Sequence, residues 1–181
     1  MLHRLKSSES GFRESLENAC DDLGMARAQV ISPVCLAYAL LRSGAQPEVV
    51  SRVLSWRDFE GLVGALLRAA GFEVRENLVL TKPRAQVDVV GYGISMVLSI
   101  DCKHYRREQG PSKLVKFARD QLRRSSLLRV KSKDPRPIAS VILTMSEPEG
   151  KFVEGVAVVP IRTFRSFLTT IDSNLDLLEL R

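Results

Sequence analysis

Residues 94–103, ISMVLSIDCK, end an apolar run with a carboxylate and an ammonium two positions apart. Side chains at i and i+2 of a strand share a face, so Asp101 and Lys103 point together while Cys102 points away with Ile100. A second apolar segment, AQVDVVGYG, carries Asp88, and a glycine-rich turn near Gly91 to Ser95 joins the two as a hairpin. Folding there sets Asp88 beside Asp101 to within one register step. Strict alternation gives Asp88 a face shared with Gln86 and Val90, with Val87 and Val89 opposite. Two carboxylates on neighbouring strands are hard oxygen donors of the kind Mg²⁺ or Mn²⁺ takes. Phosphodiester hydrolysis uses such parts: the cation acidifies water and neutralises charge on the phosphorus, and a lysine orients the water or holds the phosphate. The Cys102 sulfur suits a hard cation poorly; its backbone carbonyl is the candidate ligand. Taken alone, Asp101 and Lys103 read more readily as an ordinary ion pair at a strand end.

The elements that must position these groups are legible around them. In SWRDFEGLVGALLRAAG, Ser55 is an N-cap and Asp58 closes a capping-box variant. Phe59, Leu62, Val63, Leu66, Leu67 and Ala70 then form one apolar stripe, and Gly71 ends the helix. Glu60 sits beside that stripe, as a third acid for the cation or as a solvated residue. FEVRENLVL reads as a strand. After the hairpin, residues 112–129 read as a helix whose apolar stripe holds Leu114, Phe117, Ala118, Leu122 and Leu128, with Lys116, Arg119 and Arg123 on its other face. PIASVILTM and VAVVP are strands, and IRTFRSFLTTI is a final helix. From Ser55 the order is α-β-β-β-α-β and then β-α, which specifies an α/β layer architecture with a mixed sheet.

Residues 1–54 read as a helical N-terminal region: a helix capped by Ser10 and stopped at Gly24, another through PVCLAYALLRS, and a third opened by Pro47. Residues 55–171 form the main domain, and 172–181 an amphipathic C-terminal tail. Cys20, Cys35 and Cys102 lack metal-site spacing, and an odd count suits reduced thiols in a cytoplasmic protein. No apolar run is long enough to span a membrane, and no secretory signal is visible.

The net charge of +6 is concentrated. Between Lys103 and Arg136 twelve basic residues face three acids, so this segment carries +9 and the rest of the chain −3. Such localisation points to a polyanion such as nucleic acid, against the alternative of a solvated basic helix face. The backbone-binding candidates are Arg106, Arg107, Lys113, Lys116, Arg119 and Arg123. Gln86, His104, Tyr105 and Gln121 are accessory candidates near the acids.

Asp88, Asp101-Cys102-Lys103 and the helix bearing Glu60 together resemble the PD-(D/E)xK nuclease superfamily. Trp56, Phe59 and Glu60, the Gly71-Phe72 turn and Cys102-Lys103-His104-Tyr105 are similar to segments of Mrr-type restriction endonucleases and of archaeal Holliday junction resolvases, over roughly residues 55–170. The resemblance implies a restriction-endonuclease-like core and a Mg²⁺- or Mn²⁺-dependent DNA endonuclease. In it Asp88, Asp101 and Glu60 hold the cation and Lys103 serves the water or the phosphate, with a homodimer as the default assembly. It departs at Val87, where proline is frequent, and at AQVD, where many Mrr-type domains have a GxD motif. The competing expectation is a catalytically silent nucleic-acid-binding module or a structural subunit of a larger complex.

Overall fold

The structure is a computed structural model describing residues 2–25, 32–105, 110–146 and 152–171, with residues 2–10 and 12 described in backbone only. Three helices, α1 (Leu2–Asp22), α2 (Pro33–Arg42) and α3 (Pro47–Val53), precede the α/β region. That region runs α4 (Trp56–Ala69), β1 (Glu73–Leu80), β2 (Ala85–Tyr92), β3 (Val97–Lys103), α5 (Pro111–Ser132), β4 (Ile138–Thr144), β5 (Phe152–Val153), β6 (Val156–Pro160) and α6 (Phe164–Thr170). The strands form one six-stranded mixed sheet in the order β1-β2-β3-β4-β6-β5. β1, β2 and β3 are antiparallel neighbours, β3-β4 and β4-β6 are parallel, and β5 returns antiparallel on β6. Helices cover the sheet, giving the α/β architecture expected from the element order.

The helix α4 forms where its sequence signals say. Ser55 accepts from the Asp58 N–H while the Asp58 carboxylate accepts from the Ser55 N–H, which satisfies two orphan amides of the first turn. Its stripe, Phe59, Leu62, Val63, Leu66 and Leu67, is buried against Val89, Leu98, Ile100, Val141 and Leu143 of the sheet. Full burial of each such side chain is worth roughly 1.5–3 kcal/mol, so the helix carrying Glu60 is firmly seated. Gly91 allows the close approach: a Cβ there would lie 3.2 Å from Leu67 and 3.3 Å from Phe72.

Among the described residues, the N-terminal helices share the core of the α/β region. Ala19, Leu23, Ala37, Tyr38, Val50 and Leu54 join the same buried cluster as α4. Two sequence expectations are corrected here. The first helix does not begin at Ser10; α1 starts at Leu2 and runs through it, ending before Gly24, whose φ of +64° suits glycine. Cys20 and Cys35 are not free thiols: they are joined as a disulfide tying α1 to α2, leaving Cys102 as the unpaired cysteine. Spacing along the chain gave no sign of this, because the pairing depends on how two helices pack. The amphipathic tail 172–181 lies outside the described residues.

The other sheet face packs under α5 differently. Leu114, Ala118 and Leu128 are buried, but so are Gln121 and Ser125. Gln121 donates through Nε2 to the Ser99 carbonyl (2.6 Å) and Ser99 Oγ (3.1 Å), and Ser140 Oγ donates to Ser125 Oγ at 2.7 Å. A polar seam therefore joins the middle of α5 to β3 and β4, with every side chain in it bonded, as buried polar groups require.

Candidate functional site

The hairpin register settles where the two aspartates meet. Pairing runs Tyr92↔Val97, Gly91↔Leu98, Val90↔Ser99 and Val89↔Ile100, so the next step sets Asp88 level with Asp101. Strict alternation along β2 does not hold, which corrects the expected face assignment. Val87 and Val90, three apart, both pack in the cluster beneath α5, whereas Val89 joins the α4 cluster. The slip coincides with Asn77 on β1, opposite Asp88 in the register and held at φ +53°. A local irregularity shared by two strands, of the kind that re-aims side chains beside functional sites, accounts for it. Asp88 is thereby aimed at the β3 backbone, where its Oδ2 accepts from the Cys102 N–H at 2.8 Å. Gln86, expected one pleat from Asp88 as a substrate contact, is exposed and donates to Asn77 Oδ1 at 2.9 Å.

Asp101 is 3% exposed and faces α5. Arg124 donates to its Oδ1 at 2.8 Å, and the Lys103 ammonium lies 2.7 Å from Oδ2, close but not aligned as a hydrogen bond. Lys103 also sits 4.7 Å from the Phe117 ring centre, a cation–π contact that fixes its direction. The same-side placement of Asp101 and Lys103 expected from the strand period is thus present. Arg124 was missed by the sequence reading. It stands at the border between the buried stripe and the basic face of α5, and only the helix's rotation on the sheet shows that it turns inward.

Glu60 approaches from α4 and is 5% exposed. Its carboxyl is raised from the ordinary 4.5 to about 7, first by desolvation and then by the Asp88 charge, partly offset by a side-chain hydrogen bond with Asn77. Asp88 is raised too, by burial foremost; the Cys102 N–H opposes the shift and the Asp101 charge adds to it. The Cys102 thiol is pushed well above its usual value by burial and then by Asp88, Asp101 and Glu60, so it stays neutral. Glu60 thus feels Asp88, Asp88 feels Asp101, and all three acids act on the Cys102 thiol. Glu60 Oε2 and Asp101 Oδ2 are buried without hydrogen-bond partners.

These observations bear on whether a divalent cation fits. The donors are hard oxygens, Glu60 Oε2 is buried without a hydrogen-bond partner, and the Glu60–Asp88 and Asp88–Asp101 repulsions are of the kind an added cation relieves. The candidate ligands for such an ion are the side chains of Glu60, Asp88 and Asp101 and the Cys102 carbonyl. Among the described residues, however, no group of three His, Cys, Asp or Glu side chains is spaced as a ready metal cage. Asp101 faces Lys103 and Arg124 instead.

The remaining candidates divide. His104 is half-buried, with its ring 5.6 Å from Phe59. Tyr105 stacks on Phe117 at 5.9 Å, and Lys113 lies over both rings. Lys113, Lys116, Arg119 and Arg123 are exposed along α5, and Arg119 is paired with Glu154 at 3.1 Å. Gln121 is corrected: it is fully buried in the polar seam rather than near the basic face, and its Oε1 lies 3.4 Å from the Arg124 guanidinium. Arg106 and Arg107 lie outside the described residues.

No family model matches the chain, and no curated protein is significantly similar to it. A solved structure of a protein of unknown function, AF1548, superimposes with a TM-score of 0.40 at 14% identity, over 59% of this chain. The match spans 58% of that protein's length.

Proposed function

We propose that the chain is a metal-dependent DNA endonuclease built on a restriction-endonuclease-like core. The observation that supports this reading is the chain of charged neighbours near the end of β3: Glu60 feels the Asp88 charge, Asp88 feels Asp101, Asp101 is paired with Lys103, and Glu60 and Lys103 line one cleft. Two of these acids have raised proton affinity, and Glu60 Oε2 is buried without a hydrogen-bond partner. Stability alone does not call for such a group, since clustered desolvated acids cost free energy. Perturbed titration with a defined charge partner is a property that functional sites share.

Glu60, Asp88 and Asp101 would hold the cation, which when bound supplies acidified water and neutralises charge developing on the phosphate. The chain's own contributions follow from the contacts. The Cys102 N–H fixes Asp88, Arg124 fixes Asp101, and Phe117 holds Lys103 where its ammonium can grip a phosphate oxygen or orient water. Lys113, Lys116 and Arg123 offer the DNA backbone a basic track that starts beside the site at the head of α5.

A catalytically silent nucleic-acid-binding module is favoured by a specific observation of its own: two cationic side chains already neutralise Asp101. Supercoiled plasmid incubated with Mn²⁺ or with EDTA separates the two. The nuclease reading expects nicking or linearisation in Mn²⁺ alone and its loss in Lys103→Ala. Binding without cutting, in the folded wild type, supports the silent module.

A further inference from the structure

Trp56 is the chain's single tryptophan, and the fold does not use it. It opens α4 one turn before Glu60, on the same side of the helix. It is absent from the buried stripe and 52% exposed, at a helix position where any polar residue would serve. Tyr105, 37% exposed, stands beyond the end of β3. Both rings line one cleft of ≈ 210 Å³ together with Glu60, Cys102, Lys103 and His104. The cleft thus has two aromatic edges and, between them, an acid and a lysine of the candidate site. Each ring is backed by the protein: Arg57 lies 5.1 Å over Trp56, and Phe117 stacks on Tyr105.

The volume limits the guest. At ≈ 210 Å³ the cleft is below the roughly 300–1,000 Å³ that engulf drug-sized ligands, so it has room for one flat ring and no base pair. An aromatic cleft that shares Lys103 with a phosphate site suits a nucleotide, whose base and phosphate are a bond or two from the same sugar. Inside a duplex both faces of a base are covered by its neighbours, so Trp56 can reach a base only where stacking is interrupted.

Building on the nuclease reading, we propose that Trp56 and Tyr105 receive one unstacked nucleobase flanking the phosphodiester held at Lys103 and the acids. The preferred substrate is then single-stranded DNA, or a duplex with an unpaired strand, rather than continuous duplex. Stacking platforms of this kind tolerate any sequence, because every base has a π-face.

The single tryptophan makes the test direct. The full chain in EDTA, where nothing is cut, is titrated with an oligothymidylate and with a blunt hairpin duplex. Tryptophan emission reports stacking, and the anisotropy of a labelled DNA reports binding. The expected result is saturable quenching by the single strand and little by the duplex. Trp56→Ala and Tyr105→Ala, both at exposed positions, should each weaken single-strand binding roughly 5- to 150-fold with duplex binding nearly unchanged. An anisotropy rise without quenching, or equal losses on both DNAs, overturns the stacking proposal and leaves the nuclease reading standing. Selective quenching by a protein that never cuts in Mn²⁺ supports the stacking site and removes the nuclease reading. No binding of either DNA overturns both.

Discussion

Replacing Glu60 by glutamine should stabilise the folded protein at alkaline pH and weaken its response to divalent cations. The carboxyl titrates near 4.5 when unfolded and at about 7 when folded. Below pH 4.5 both states hold the proton and Glu60 costs nothing. Between the two values the folded state keeps a proton that the unfolded state has lost, so stability falls as pH rises through that window and levels off above it. The full shift, from 4.5 to about 7, corresponds to about 3 kcal/mol. The site opens into a cleft, and solvent screening brings the working figure down to about 1–2 kcal/mol. For a chain of this length that is roughly 2–8 °C in Tm. Glu60→Gln keeps the shape and cannot ionise, so it should melt higher than wild type at pH 8 and nearly level with it at pH 4.5. Mg²⁺ or Mn²⁺ at ten times its Kd should return about 1.4 kcal/mol to the wild type at pH 8 and markedly less to Glu60→Gln. Thermal melts of both proteins at the two pH values, with and without cation, suffice. A Glu60→Gln protein that melts lower than wild type at pH 8 would refute the electrostatic account. A wild-type Tm that ignores both cations would refute the metal assignment.

The two aspartates should respond with opposite signs. Asp101→Asn leaves Arg124 and Lys103 without their buried counter-charge and should cost about 3 kcal/mol or more. Asp88→Asn relieves a repelled, desolvated acid and should raise Tm at pH 8; equal losses from both would show that Asp101 is not the charged anchor. Lys103→Ala should bind DNA nearly as wild type yet cut roughly 10²–10³-fold more slowly, and an unchanged rate would take Lys103 out of the reaction. Log affinity for duplex DNA should fall with log salt by about 0.9 per phosphate contacted. Lys116→Glu and Arg123→Glu should flatten that slope more than Arg119→Ala, because Glu154 already pairs with Arg119; an unmoved slope places the DNA elsewhere.

What the sequence made legible was local. The capping box and apolar stripe fixed α4 and hence Glu60, and the hairpin turn set Asp88 level with Asp101. The period of two placed Asp101 and Lys103 on one side. What it concealed needed two elements at once. The irregularity at Asn77 and Asp88 belongs to a strand pair, and no single-strand pattern announces it. The inward turn of Arg124 and Gln121 depends on how α5 is rotated against β3, and a helix carrying both Leu and Arg on neighbouring rows leaves that angle open. Cys20 and Cys35 meet only because α1 packs on α2, and nothing in the spacing of the two cysteines announces that contact.

The polar seam beneath α5 has a mechanical consequence. An apolar interface can creep, trading one van der Waals contact for another of similar worth. A seam built from Gln121, Ser99, Ser125 and Ser140 cannot, because displacement by a fraction of a turn strands buried donors and acceptors together. Sliding or rotating α5 by a fraction of a turn is therefore steeply uphill. Arg124 and Phe117 sit on the same helix, so the seam that locks α5 also holds the contacts to Asp101 and Lys103 in place.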